Sequence, residues 1–219
     1  MGFFSGLLDL LFPPKCVFCR RLLQKGENGM CAACAKDIPY TPNGGIQRGD
    51  FFSVCVSPLF YKGYVRDSIL RFKFKEATSY ASTYGKLIAG CIQENLEGKY
   101  DLISWVPLSA QRLKKRGYDQ AMLLAMAAAL ELEDVAVETL VKHTDVPAQS
   151  GMGSAEKRRA NIAGVYRVSD PELISGKHIL LIDDIITTGA TLSECARILR
   201  AAGAEEVLCA TLARTPGNE

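Results

Sequence analysis

Nowhere in its 219 residues does the chain carry G-x-x-x-x-G-K-[ST], and without that loop and its lysine a nucleoside triphosphate is not the natural ligand. Charge of a single sign is missing too. Lys and Arg number 26 against 24 Asp and Glu, a net +2, so any contact with nucleic acid has to come from local patches. No apolar run approaches the ~20 residues that span a bilayer. The most apolar stretch, Met1 to Phe12, carries Asp9 and has neither a basic n-region nor a small-residue cleavage site, so it does not read as a signal peptide. Gly6 stands where a myristoylation motif needs Ser or Thr. An amphipathic helix packed on the protein body and a peripheral membrane contact are the two readings left for it. No internal repeat or low-complexity tract occurs, and of the two histidines His178 opens a strand-like run while His143 precedes an irregular one, so neither is given a catalytic role. With 48% hydrophobic and 23% charged residues the chain can bury one core plus a small metal-stapled module, and a cytoplasmic protein is the expectation.

What is present is concentrated in one run, His178-Ile179-Leu180-Leu181-Ile182-Asp183-Asp184-Ile185-Ile186-Thr187-Thr188-Gly189-Ala190-Thr191. Ile179 to Ile182 is continuously apolar, as suits a central parallel strand buried on both faces. Asp183 and Asp184 follow at the strand's carboxyl end, where open α/β sheets hold ligands. Thr187 to Thr191 then offers three hydroxyls and a glycine ahead of a helical pattern from Leu192 to Ala202, whose first N–H groups lack internal partners and form an anion site. The two acids would repel a bare polyphosphate but suit the hydroxyls of a sugar, or a divalent cation bridging sugar and phosphate. A phosphorylated ribose is the ligand implied. The alternative is an unrelated doubly wound domain with an acidic strand end, such as a magnesium-binding receiver domain. The segment resembles the signature of type I phosphoribosyltransferases, which bind 5-phosphoribosyl-1-pyrophosphate (PRPP). That resemblance implies that Asp183 and Asp184 hold the ribose hydroxyls, with Mg²⁺, and that Thr187, Thr188, Gly189, Ala190 and Thr191 wrap the 5′-phosphate.

Eight cysteines fall into two groups. Cys16-x-x-Cys19 and Cys31-x-x-Cys34, eleven residues apart, can bring four thiolates around one structural Zn²⁺. Two disulfides would need an oxidising compartment, and a thioredoxin-like role would place one such pair at a helix start in a larger α/β unit. Cys55, Cys91, Cys195 and Cys209 sit singly in apolar patterns and read as small core residues.

A cysteine-knuckle start followed by a PRPP motif resembles the ComF family of competence-associated, phosphoribosyltransferase-like proteins. Val106-Pro107-Leu108, Arg112, Arg116-Gly117-Tyr118-Asp119-Gln120 and Leu212-Ala213-Arg214 carry the same resemblance, with Tyr118 and Asp119 standing where Phe and Asn are usual and Gln149 to Asn161 matching loosely. The resemblance implies a type I phosphoribosyltransferase fold, a mostly parallel sheet flanked by helices, behind a Cys₄ zinc-ribbon-like module. Pro107, Leu108 and Arg116 join the PRPP-binding set by the same route. It also implies a role in DNA uptake through single-stranded DNA, with a competence helicase or other DNA-uptake proteins as partners. Transfer of phosphoribose to an unidentified nucleophile in nucleotide metabolism is the alternative, although no base-recognition segment is visible after Leu212, and PRPP-dependent regulation, as in transcription factors of this fold, is a third.

Composition divides the chain into residues 1–40 with the cysteine module, a Gly- and Pro-rich linker over 41–52, and a main domain over 53–215. Strands are expected near Ser53 to Tyr61 and over Asp101–Val106, Glu138–Val141, Val165–Val168, Ile179–Asp183 and Glu206–Leu212; helices over Val65–Lys75, Tyr84–Leu96 and Tyr118–Leu130. The loop after Val106-Pro107, with Arg112, Lys114, Lys115 and Arg116, could neutralise a pyrophosphate or be a solvated basic turn. His143 to Asn161 exceeds ordinary connection length and reads as a lid or a disordered loop. Lys157-Arg158-Arg159, the basic residues of 65–75 and Arg112 to Arg116 could line a single-stranded DNA groove, with Phe72, Phe74 or Tyr118 for stacking, although the same aromatics could equally be core. Lys15, Arg20, Arg21 and Lys25 add positive charge to the cysteine module, which a Cys₄-bound Zn²⁺ largely offsets.

Overall fold

The computed structural model describes residues 13–75, 77–143 and 165–217. The apolar opening Met1 to Phe12, most of the expected lid, and Lys157 to Arg159 lie outside the described residues. In chain order the elements are α1 (Ala32–Asp37), a 3₁₀ turn (Pro42–Gly45), β1 (Val54–Val56), β2 (Leu59–Phe60), α2 (Gly63–Phe74), α3 (Tyr80–Leu96), β3 (Leu102–Trp105), α4 (Ala110–Arg116), α5 (Gln120–Glu131), β4 (Leu140–Lys142), β5 (Tyr166–Val168), α6 (Pro171–Ile174), β6 (His178–Ile186), α7 (Ala190–Ala201) and β7 (Glu206–Arg214).

Strands β1, β7, β6 and β3 pair in that order, with β2 also on β7, and every pair in this sheet is parallel. The expected Ser53 to Tyr61 strand is split. β1 and β2 keep one register along β7, Val54 facing Leu208 and Leu59 facing Ala213, and the break falls at Pro58, which has no N–H to give the ladder. Ser57 Oγ and Thr211 Oγ1, 2.8 Å apart, close the gap. Residues 41–52 run beside β1, where Gln47 and Cys55 exchange backbone hydrogen bonds of 2.9 and 2.8 Å. A separate antiparallel pair, β4 with β5, lies off the main sheet.

Alternation along the central strands builds two cores. Leu180, Ile182, Leu208, Ala210 and Leu212 face the helices α2, α3 and α5; Ile179, Leu181, Val207 and Cys209 face α7, β5 and α6. Gly85 on α3 sits so close to α5 that a Cβ there would lie 2.5 Å from Ala127 Cβ, so the two helices meet nearly backbone to backbone. Among the described residues no helix is long and apolar enough to cross a membrane.

Candidate functional site

Strand β6 outlasts the expected end at Asp183: Ile185 pairs with Ala213 and Ile186 with Arg214, so the acids lie inside the ladder. Two β-branched residues following the acids explain the extension. Asp183 is half-buried, its Oδ1 accepting the Asp184 N–H at 2.7 Å. Burial, then the neighbouring Asp184, pushes the Asp183 carboxyl up to about 8. Asp184 is buried and has a partner that sequence reasoning missed. Lys73 Nζ, from α2, lies 2.8 Å from its Oδ2. Burial pulls the Lys73 ammonium down, but the Asp184 carboxylate beside it outweighs this and leaves it raised.

After the acids the chain turns sharply, with Thr187 and Thr188 exposed, Thr188 Oγ1 accepting the Ala190 N–H at 3.4 Å and Gly189 at φ +76° capping α7. The helix begins two residues earlier than its apolar pattern, so Ala190 and Thr191 belong to its first turn. Only glycine adopts that φ without strain.

Across from this loop, Val106 N–H bonds to Ile182 O at 3.0 Å, carrying β3 up to Pro107 and Leu108. Arg116 places its guanidinium 4.7 Å from the centre of the Phe74 ring and donates to Gln120 Oε1 at 2.5 Å. Gly117, φ +80°, ends α4, and the Tyr118 hydroxyl donates to Phe72 O. Asp119 accepts the Leu108 N–H at 2.6 Å and the Met122 N–H at 3.1 Å, so one carboxylate both caps α5 and pins the Pro107-Leu108 loop. Burial raises the Asp119 carboxyl while those N–H donors hold it down. Arg116 is lowered by burial and partly restored by the charge of Asp184.

The expected stacking set shrinks. Phe72 has no exposed surface and packs edge-on against Tyr84, because α2 turns that face into the core, and Tyr118 is fixed to α2 by its hydroxyl. Phe74 remains, 63% exposed. The basic residues of α2 also divide: Arg71 and Lys73 turn inward, whereas Arg66 sits at the surface beside Asp67. The basic turn proves to be the short helix α4, which buries no residue and shows Lys114 and Lys115 to solvent.

The four knuckle cysteines converge, every Sγ lying within 4.8 Å of the others. Cys19 Sγ and Cys31 Sγ are 3.6 Å apart. A tetrahedral centre with Zn–S of about 2.3 Å requires sulfurs roughly 3.8 Å apart, so the donor set fits zinc. Cys31 is the residue before α1, and the Cys34 N–H, despite burial, helps draw its thiol down to about 6, toward the thiolate a metal needs. The second knuckle is braced by Glu27, whose carboxylate accepts the Gln24 and Ala32 N–H groups at 2.8 and 2.7 Å. Cys55, Cys91, Cys195 and Cys209 are buried in the main domain, each with its thiol raised by that burial.

The family model described as "Phosphoribosyl transferase domain" matches residues 114–219, and that described as "Double zinc ribbon domain" matches residues 7–45. Competence protein F of Haemophilus influenzae is 29% identical over 91% of this chain and 96% of its own length. Over nearly its whole length the chain is similar to this competence protein. Other relatives are the DNA utilization protein YhgH of Escherichia coli K12, 27% identical over 94% of the chain and 99% of that protein, and Competence protein ComFC of Streptococcus pneumoniae, 29% identical over 70% and 65%. Among solved structures, an allosteric regulatory enzyme of purine biosynthesis and the Bacillus subtilis glutamine PRPP amidotransferase with ADP and GMP are both 22% identical with a TM-score of 0.42; they cover 59% and 60% of this chain, which spans 25% and 26% of theirs. The two family models and the parallel sheet together give the chain a type I phosphoribosyltransferase domain behind a zinc ribbon.

Proposed function

We propose that this protein binds PRPP and acts in DNA uptake from the cytoplasmic side by handling single-stranded DNA. The observation that carries the reading is the acid pair on β6 leading into a glycine-capped helix start, with Lys73 on one acid and Arg116 close by. Asp183 and Asp184 would accept the ribose hydroxyls, and Thr187 to Thr191 would cradle the 5′-phosphate with hydroxyls and the free N–H groups of α7. Pro107, Leu108 and Arg116 would face the pyrophosphate. The same two carboxylates are a donor set that suits Mg²⁺, which is held by one or two carboxylates together with substrate oxygens and would neutralise phosphate charge. Exposed α4, beside Phe74, supports nucleic-acid contact: its cations suit phosphates, and the Phe74 ring, largely exposed beyond its contact with Arg116, suits a base.

Salt-dependent anisotropy of a labelled oligonucleotide, with and without PRPP and Mg²⁺, tests the DNA half. Binding that weakens steeply with salt and drops when Lys114 and Lys115 become Ala is expected; no salt-sensitive binding would remove single-stranded DNA from the account. The intact acid pair also keeps open transfer of phosphoribose to an unidentified nucleophile, which would show as release of pyrophosphate.

A further inference from the structure

An acid pair at the mouth of a phosphate cradle sets negative charge against the polyphosphate that the cradle would hold. The counter-charge comes from a distant part of the chain. Lys73 Nζ meets Asp184 Oδ2 at 2.8 Å, and only 20% of the lysine side chain and 13% of the aspartate side chain are exposed. A lysine has three donors and a carboxylate about four acceptor sites. The pair therefore leaves N–H groups on Lys73 and lone pairs on Asp184 available to a ligand.

The helix that carries Lys73 is bonded to the zinc ribbon. Two positions earlier on α2, Arg71 donates from Nη2 to Val17 O at 2.9 Å and to Phe18 O at 2.6 Å, both carbonyls of the first knuckle between Cys16 and Cys19. Ser68 Oγ bonds the same Val17 carbonyl and meets the Tyr84 hydroxyl at 2.5 Å. Phe18 closes the joint, its ring centre 6.2 Å from that of Tyr64 and 6.0 Å from that of Tyr84. Beyond Lys73, Tyr118 and Arg116 hold the end of α2 through Phe72 O and the Phe74 ring. Within a few residues, α2 faces the ribbon with Ser68 and Arg71, the core with Ile69 and Phe72, and the acid pair with Lys73.

We propose that Lys73 is a ligand-positioning residue of the PRPP site, set against Asp184 by the zinc ribbon through α2. The inference rests on the PRPP reading above. Removing Lys73 takes one cation from the site and leaves the charge of Asp184 facing the phosphates, and both effects oppose binding. A simple blocking latch would act the other way, since losing the lysine would free Asp184 and tighten binding.

Calorimetric titration of the zinc-loaded full chain with PRPP and Mg²⁺ decides between them, using wild type, Lys73→Met, Lys73→Arg and Arg71→Ala. Lys73→Met is expected to lose about tenfold or more in affinity, and Lys73→Arg to recover most of it. Lys73→Gln, which keeps a donor for Asp184 but no charge, serves in place of Lys73→Met should the latter not fold, with the same expected loss. Arg71→Ala should weaken PRPP binding while metal analysis still finds zinc bound. Wild-type or tighter affinity in the Lys73 variants would overturn the inference while leaving the PRPP site standing, and unchanged affinity in Arg71→Ala would remove the ribbon's part in it. Wild-type protein that takes up no PRPP would overturn the site itself, and this inference with it.

Discussion

Asp183 and Asp184 are chain neighbours in opposite electrostatic conditions. Asp184 has an ammonium at 2.8 Å, whereas Asp183 has burial and a second carboxylate, which push it up to about 8. An unfolded-chain aspartate titrates near pH 3.9, about four units lower. Between those two values the unfolded chain has given up a proton that the folded chain keeps, so Asp183 costs stability progressively as pH rises from ~4 to ~8, and no more above that. Asp183→Asn should therefore raise Tm at pH 7.5 and flatten its fall across that window; a melting series showing the same pH slope in both proteins would contradict the assignment. Asp119 has a different task. Asp119→Ala removes the α5 cap, worth ~1 kcal/mol, and frees Leu108, whereas Asp119→Asn keeps an acceptor oxygen. Chemical denaturation should rank wild type and Asn close together and Ala lower, and the Ala variant should also bind PRPP less well because the Pro107-Leu108 loop is no longer pinned.

Elements with a strong local period are legible in the chain. The apolar run of β6, the acids behind it, and the stripe of Leu192, Cys195, Ala196 and Leu199 on α7 place strand, turn and helix within a few residues of where they lie, and α5 follows from its Ala, Leu and Met content. Less legible is whatever depends on a partner far along the chain. Phe72 and Phe74 look equivalent in the sequence, and only the docking of α2 on α3 makes one core and the other surface. Lys73 reads as one more basic residue until the fold brings Asp184 beside it. Helix α4 escapes a periodicity search because it has no buried face to be periodic about. Gly85 is of the same kind, an unremarked glycine that sets the separation of α3 and α5. Gly85→Leu should force those helices apart and cost roughly 1–3 kcal/mol or more, measured as a drop in the urea midpoint; an unchanged midpoint would mean that the two helices are not in close contact in solution.

Across the whole molecule the ribbon and the sheet share one core, since Val17 and Phe18 belong to the same buried cluster as Phe72, Tyr84, Leu180 and Ile182. Zinc should therefore stabilise more than its own knuckles. Chelation strong enough to remove it is expected to lower the Tm of the entire chain in one transition, because Phe18 and the carbonyls that hold Arg71 go with the ribbon; a main-domain transition unmoved by chelation would show that the ribbon folds independently. The most direct measurement is a calorimetric titration of wild type and Asp183→Asn/Asp184→Asn with PRPP and Mg²⁺. Saturable binding is expected in the wild type and none in the double variant, whose unliganded fold should stay intact by circular dichroism. Equal affinity in the two proteins would contradict the assignment of the ligand site to the acid pair.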